Sequence, residues 1–229
     1  MALKIEDVVN YLGKTIHDIY GRRIGVVVGL YSEVDGTVTA IEVCKNDAMY
    51  ETIPAERLEI VDGDLKIVPQ WYVKAKIVEK KLDVLRKRMR ALEELYRKNQ
   101  IPEHAYRELK EKLSKELDKT KSEAKELKEE LRNRMYELDN FVLHIEKAMT
   151  NLLVSYTAGE IPEQSFETSI NALRIAKQKA IEEKKDIEKH SETITKLEEE
   201  VAKALEASEE SGIEALSQGP MVVKVFEGV

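Results

Sequence analysis

The sequence predicts an α+β chain: a small N-terminal antiparallel β-barrel, then long antiparallel helical hairpins, then a flexible tail ending in a β-strand peptide. Three observations carry this. Short β-prone runs alternate with Asp-Gly turns over the first 69 residues. From Trp71 the apolar residues change to steps of four and three. The last ten residues, PMVVKVFEGV, are an apolar, β-prone run behind a Ser- and Gly-containing stretch. The segments are therefore 1–69, 70–207 with helices at about 71–98, 103–157 and 163–207, and 208–229.

In the first segment Asp35-Gly36 separates Val26–Tyr31 from Val38–Val43, and Asp62-Gly63 separates Leu58–Val61 from Leu65–Val68. Asp-Gly signals a two-residue hairpin, because both turn positions take positive φ. Asp18–Gly21 reads as a third turn, and Gly25 inside an apolar run as a bulge or a close backbone approach. Strands this short and this closely spaced suit a compact barrel. Met1–Leu12 reads as a short amphipathic helix packed on the barrel through Ile5, Val8, Val9 and Leu12.

The run Leu12–Asp18, then Gly21–Val27, then Ile53–Leu58 resembles the signature of the PRC-barrel, a small β-barrel that serves as an adaptor. Gly13, Asp18, Gly21 and Gly25 carry the resemblance. It implies a barrel fold and leaves function open. Ribosome maturation is one role seen among such barrels.

In the helical body Val78, Leu82, Leu85, Met89, Leu92 and Tyr96 form a heptad seam. The seam stops at Asn99–Glu103 and restarts from Tyr106 through Leu109, Leu117, Leu127, Leu138, Ile145 and Tyr156. It stops again at Ala158–Glu163, and a third helix follows through Ile170, Ala180, Ile187, Ile194, Val201 and Leu205. The two breaks align at an offset of 60 residues, Tyr96–Tyr106 with Tyr156–Phe166. Asn99 or Gly159 suits a left-handed C-terminal position, and Pro102 or Pro162 opens the next helix. Both read as tight reversals, and the three helices as an antiparallel rod whose middle helix is roughly 80 Å long. From Leu138 to Val154 the chain is apolar on more than one side, including Leu143 and Val154. A two-helix contact buries only a stripe, so Phe141, Val142, Ile145, Met149, Leu152 and Leu153 are the candidate self-assembly residues.

The net charge of −7 hides a basic middle: residues 71–157 hold 21 basic and 16 acidic groups. Lys80, Lys81, Arg86, Lys87, Arg88 and Arg90 are the candidate polyanion-binding residues, against the alternative of a solvated face paired with glutamates of a facing helix. One cysteine, Cys44, and four scattered histidines, His17, His104, His144 and His190, give no disulfide framework and no metal-ligand spacing. No nucleophile elbow, phosphate loop or paired carboxylates appear, so the reading is non-enzymatic, with no cofactor and no metal. The N-terminus lacks the pattern of a signal peptide, no run approaches a membrane span, and the expected location is intracellular.

Ala207–Gly212 and then Ala215–Pro220 read as a tether. In the extended run after it, Met221, Val223 and Val225 face one way and Val222, Lys224 and Phe226 the other. Such a strand adds to a partner's sheet edge or returns to the N-terminal barrel. The order of PRC-like barrel, long charged helices and terminal apolar strand resembles the archaeal CdvA cell-division family over the full chain. That resemblance implies a cytoplasmic, filament-forming scaffold beneath the membrane at the division site. It implies that the tail recruits the ESCRT-III-like protein CdvB by strand addition to that partner's C-terminal winged-helix domain. It also implies a link to DNA. The alternative is a nucleic-acid-binding filament that coats DNA through the basic segment.

Overall fold

The computed structural model describes residues 3–46 and 49–215, with side chains as far as Leu205. A four-residue helix, α1 (Ile5–Val8), and a 3-10 turn (Val9–Tyr11) lead into six strands. These are β1 (Thr15–Asp18), β2 (Arg23–Ser32), β3 (Val38–Asn46), β4 (Met49–Pro54), β5 (Leu58–Val61) and β6 (Asp64–Ile67). Three helices follow: α2 (Gln70–Arg97), α3 (Glu103–Thr157) and α4 (Glu163–Ala215). The fold is α+β.

The strands form one curled sheet in the order β4-β3-β2-β1-β6-β5. Every pairing is antiparallel except β1 with β6, which is parallel, with His17 opposite Lys66 and Asp18 opposite Ile67. The antiparallel pairing expected of the N-terminal strands holds for four of the five pairs, and β1 with β6 is the exception. The intervening strands bring the sixth strand back beside the first, and the 3-10 turn Ala55–Arg57 sets β5 and β6 running in that sense. Val8, Ile16, Val27, Val38, Ile41, Val43, Ile53, Leu58, Leu65 and Ile67 fill the concave side. Of the apolar residues expected to seat the N-terminal helix, only Val8 is buried; Ile5, Val9 and Leu12 stay exposed, because a four-residue helix has room for one inward side chain.

The Asp-Gly turns differ. At the β5–β6 hairpin both Asp62 and Gly63 have positive φ, 55° and 83°, the two-residue turn expected. At the β2–β3 hairpin only Gly36 does, and the loop is longer, closed by Glu33 N–H to Thr37 O. Asp35 accepts hydrogen bonds from the Thr37 N–H and hydroxyl, both at 2.8 Å, which holds it as the third residue of a β-turn closed by Gly36 N–H to Glu33 O.

The two helix reversals are copies of one device. Asn99 (φ 55°) and Gly159 (φ 76°) occupy the left-handed position. Gln100 N–H bonds Leu95 O and Asn99 N–H bonds Tyr96 O; Glu160 with Ser155 and Gly159 with Tyr156 repeat the pattern. That is the Schellman arrangement. Behind each turn two rings stack, Tyr96 on Tyr106 at 4.1 Å and Tyr156 on Phe166 at 4.2 Å. Asn99→Ala should cost about 1–2 kcal/mol through the left-handed backbone, while Asn99→Gly should be nearly neutral, as read by urea denaturation.

α4 continues through Ala207–Gly212, where the composition reads as a tether. Ala207, Glu209 and Glu210 are good helix formers, and one glycine lowers helix stability by only about 1 kcal/mol.

Packing divides the chain into two units, neither contiguous in sequence: Met1–Val73 with Leu131–Glu188, and Lys74–Glu130 with the chain from Lys189 on. The first holds the sheet and the α3–α4 turn, with Leu131, Leu138, Ile145, Ile170, Ala180 and Ile187 buried. The second is a three-helix bundle around Val78, Leu82, Leu85, Met89, Leu117, Leu127, Ile194 and Val201. Leu109, expected in the seam, is 47% exposed. No described helix is long and apolar enough to cross a membrane.

Candidate functional site

In the first unit, a buried charge cluster joins the sheet to the helices. The turn after β1 places Asp18 where its Oδ1 accepts N–H bonds from Tyr20 (3.0 Å) and Arg22 (2.8 Å), and its Oδ2 the Arg22 Nε bond (2.6 Å). Gly21 closes this turn with φ 75°, and its carbonyl accepts a 2.6 Å bond from Lys179 of α4. The other arm of Arg22 reaches Glu183 Oε2 at 2.6 Å. Glu183 is 1% exposed. It also accepts Arg134 Nε (2.8 Å) and Nη2 (3.1 Å) from α3 and Trp71 Nε1 (3.3 Å) from α2. Four chain segments thus converge on one carboxylate. Burial pushes that carboxyl up, but Arg134 and Arg22 outweigh it and hold it below the usual range. Burial, then Asp186 and Glu183, push the Tyr20 hydroxyl far up, so it stays protonated. Gly13 takes φ 75° beside this strand, and Gly25 lies where a Cβ would stand 2.3 Å from the Cys44 carbonyl oxygen.

The same unit exposes apolar side chains on its helical hairpin. Of the predicted self-assembly residues, Ile145 is buried and Val142, Met149 and Leu152 are half-buried; Phe141 and Leu153 are exposed. The outward stripe is Tyr136, Leu143 and Val154, at 71%, 60% and 63% exposure, with Ile175 exposed on α4. Spacings of 7 and 18 residues are about two and five helical turns, so the three residues lie above one another. Their face is opposite the one that buries Leu138 and Ile145. Sequence reasoning did not single out Tyr136 and Ile175. The signal was a second apolar period half a turn from the first.

In the second unit the predicted polyanion residues separate onto two faces. Lys81 pairs with Glu123 at 2.6 Å, Arg86 with Glu200 at 2.6 Å and with Asp83, Lys87 with Asp83 at 2.6 Å, and Arg90 with Glu200 at 3.6 Å. Lys80, Lys81 and Arg88 line a groove between α2 and α3. His190 is buried with its Nδ1 2.6 Å from Glu79, while His17, His104 and His144 are exposed. Cys44 is half-buried and donates to the Asn46 carbonyl. Among the described residues no three His, Cys, Asp or Glu side chains come together as metal ligands. Met221, Val222, Val223, Lys224, Val225 and Phe226 lie outside the described residues.

No solved structure matches the chain. A family model described as the CdvA-like coiled-coil domain matches residues 70–216, which span α2, α3 and α4. Cell division protein A of Sulfolobus acidocaldarius is 36% identical over 202 residues, covering 88% of this chain and 84% of that protein. With its helical body matched by that model and most of its length aligned to that relative, the chain belongs to the CdvA family.

Proposed function

We propose that the chain is a non-enzymatic cell-division scaffold. It self-assembles side by side into filaments through the outward face of α3, and its C-terminal peptide recruits an ESCRT-III-like protein of the CdvB kind. Recruitment proceeds by strand addition of Met221–Phe226 to the partner's winged-helix domain, in the cytoplasm beneath the membrane at the division site. The observation that carries the scaffold reading is the stripe of Tyr136, Leu143 and Val154, exposed on the side of α3 away from its own core. An aligned apolar stripe on a charged helix marks a contact surface. The name of the relative, a cell division protein, supports the process. The tail's part rests on its alternating apolar pattern and on the family resemblance.

A DNA-coating role is less well supported, because four of the six predicted cations already neutralise carboxylates of their own unit. Leu143→Asp with Val154→Asp should reduce the sedimenting species of the full chain to monomer at micromolar concentration, with the circular dichroism spectrum unchanged. Assembly equal to that of the unaltered chain would remove the side-by-side contact. For the tail, the peptide Ile213–Val229 should bind the isolated winged-helix domain in calorimetry, and its Phe226→Asp form should not.

A further inference from the structure

We infer that the groove between α2 and α3 receives the acidic end of α4 from a second copy of the chain, a head-to-tail contact. The inference rests on the reading that the chain self-associates, and adds an interface distinct from the stripe on the first unit.

The groove lies in the second unit and has a volume of about 930 Å³. Its floor is apolar, with Ile77, Val84, Leu95 and Leu109 between 37% and 47% exposed. On α2, positions 77, 84 and 95 repeat at 7 and 18 residues, a second stripe beside the one that builds the bundle core. α4 covers one side of the α2–α3 pair, and the groove is the other side, where a fourth helix would complete a bundle. The groove runs along α2 from Ile77 to Leu95, about 27 Å, longer than the roughly 15 Å of a ten-residue helix. Its rim carries Lys80, Arg88, Lys112 and Lys119, none of them in an ion pair among the described residues, against Glu116; Lys81 and Glu123 neutralise each other. The occupant is therefore a helix with surplus negative charge. Two grooves face to face would set like charges opposite each other, which disfavours that pairing.

The end of α4 meets those requirements. It runs parallel to α2: His190 lies at Glu79, and Glu200 at Arg86 and Arg90. From Glu200 the helix continues to Ala215, about 22 Å farther, whereas α2 ends at Arg97, about 10 Å beyond Arg90 and about 16 Å beyond Arg86. This overhang leads away from its own groove, which lies back along α2 between Ile77 and Leu95. From 206 to 215 the sequence has four glutamates, Glu206, Glu209, Glu210 and Glu214, and no lysine or arginine. Four glutamates in the last ten residues of the helix match four cations on the rim of an apolar groove that form no ion pair among the described residues. A contact between two different surfaces of one chain does not close on itself unless the rotation permits, and so propagates as a filament.

The test reverses charge on each side in the full-length chain: Lys112→Glu with Lys119→Glu in one variant, Glu210→Lys with Glu214→Lys in the other. Sedimentation velocity at low ionic strength is the readout, with circular dichroism to confirm that both variants keep their helix content. Each variant alone should self-associate at least roughly a hundredfold more weakly. An equimolar mixture should assemble again, because each overhang then finds an oppositely charged groove. If either variant assembles as the unaltered chain does, or the mixture stays dissociated, the inference is overturned. If the groove variant misfolds, Lys112→Gln with Lys119→Gln replaces it, and a loss of association smaller than charge reversal would give is expected; no loss overturns the inference. Loss of assembly in Leu143→Asp/Val154→Asp alone would leave the side-by-side reading standing and this one rejected. An unaltered chain that stays monomeric would reject both.

Discussion

Glu183→Gln should destabilise the chain by about 3 kcal/mol, the low end of what breaking a buried ion pair costs. The amide keeps the shape but leaves Arg22 and Arg134 without the carboxylate they share. The low end applies because those side chains are 29% and 35% exposed, so water recovers part of their charge. Arg134→Leu with Glu183→Leu should recover part of the loss, since it removes a buried charge with one of its partners. The pH dependence follows from the depressed carboxyl. A folded-state pKa below the unfolded value, ordinarily near 4.5, gives stability that is fully present above that value. It is lost as the pH falls through the folded pKa. The unaltered chain should therefore weaken below about pH 4.5, and the Gln variant should show a smaller acid-induced loss. Urea denaturation between pH 7 and pH 3 measures both. Equal stability of the two proteins at pH 7 would remove Glu183 as the joint.

Gly25→Ala should be of similar size for a different reason. A Cβ there would stand 2.3 Å from the Cys44 carbonyl oxygen, 2.7 Å from Val43 Cγ1 and 2.9 Å from the Cys44 carbonyl carbon. Two of those atoms belong to the backbone of β3, paired with β2 at Val26–Cys44 and Val27–Val43, so they cannot rotate away. Overpacking of a tight site costs about 1–3 kcal/mol and more where backbone must move. We expect at least about 3 kcal/mol and a melting temperature lower by roughly 6–12 °C. Gly63→Ala is the comparison, since a Cβ there meets nothing within 4 Å and only the left-handed backbone opposes it, φ 83°. It should lose about 1–2 kcal/mol. A Gly25→Ala melting temperature no lower than that of Gly63→Ala would show that β2 and β3 part without strain.

Much of the fold was legible because its signals are local. Asp62-Gly63 must take positive φ in a two-residue hairpin wherever it occurs, and it does. Asn99 and Gly159, each followed at three residues by a proline, close two helices by the same hydrogen bonds. Asp35-Gly36 carries the same letters as Asp62-Gly63 yet turns differently, since Thr37 offers two donors that hold Asp35 in another conformation. The candidate sites were less legible. Six cations within eleven residues of α2 read as one basic patch, but a helix distributes consecutive residues around its axis, and glutamates far along the chain pair with three of them and Asp83, one turn away, with a fourth.

By itself the sequence determined where strands turn, where the first two long helices stop, the period of each helix and the alternating apolar pattern of the tail. These depend on allowed backbone angles and on side-chain spacing, which neighbours in sequence set. Only the tertiary structure decided which of two apolar stripes on α2 and α3 faces inward, and that Asp18, Trp71, Arg134 and Glu183 share one buried cluster. The physical reason is that a helix with two stripes satisfies its periodicity either way. Burial and ion pairing depend on what packs alongside, and those partners lie far apart in the chain, 49 residues for Arg134 and Glu183 and 112 for Trp71 and Glu183.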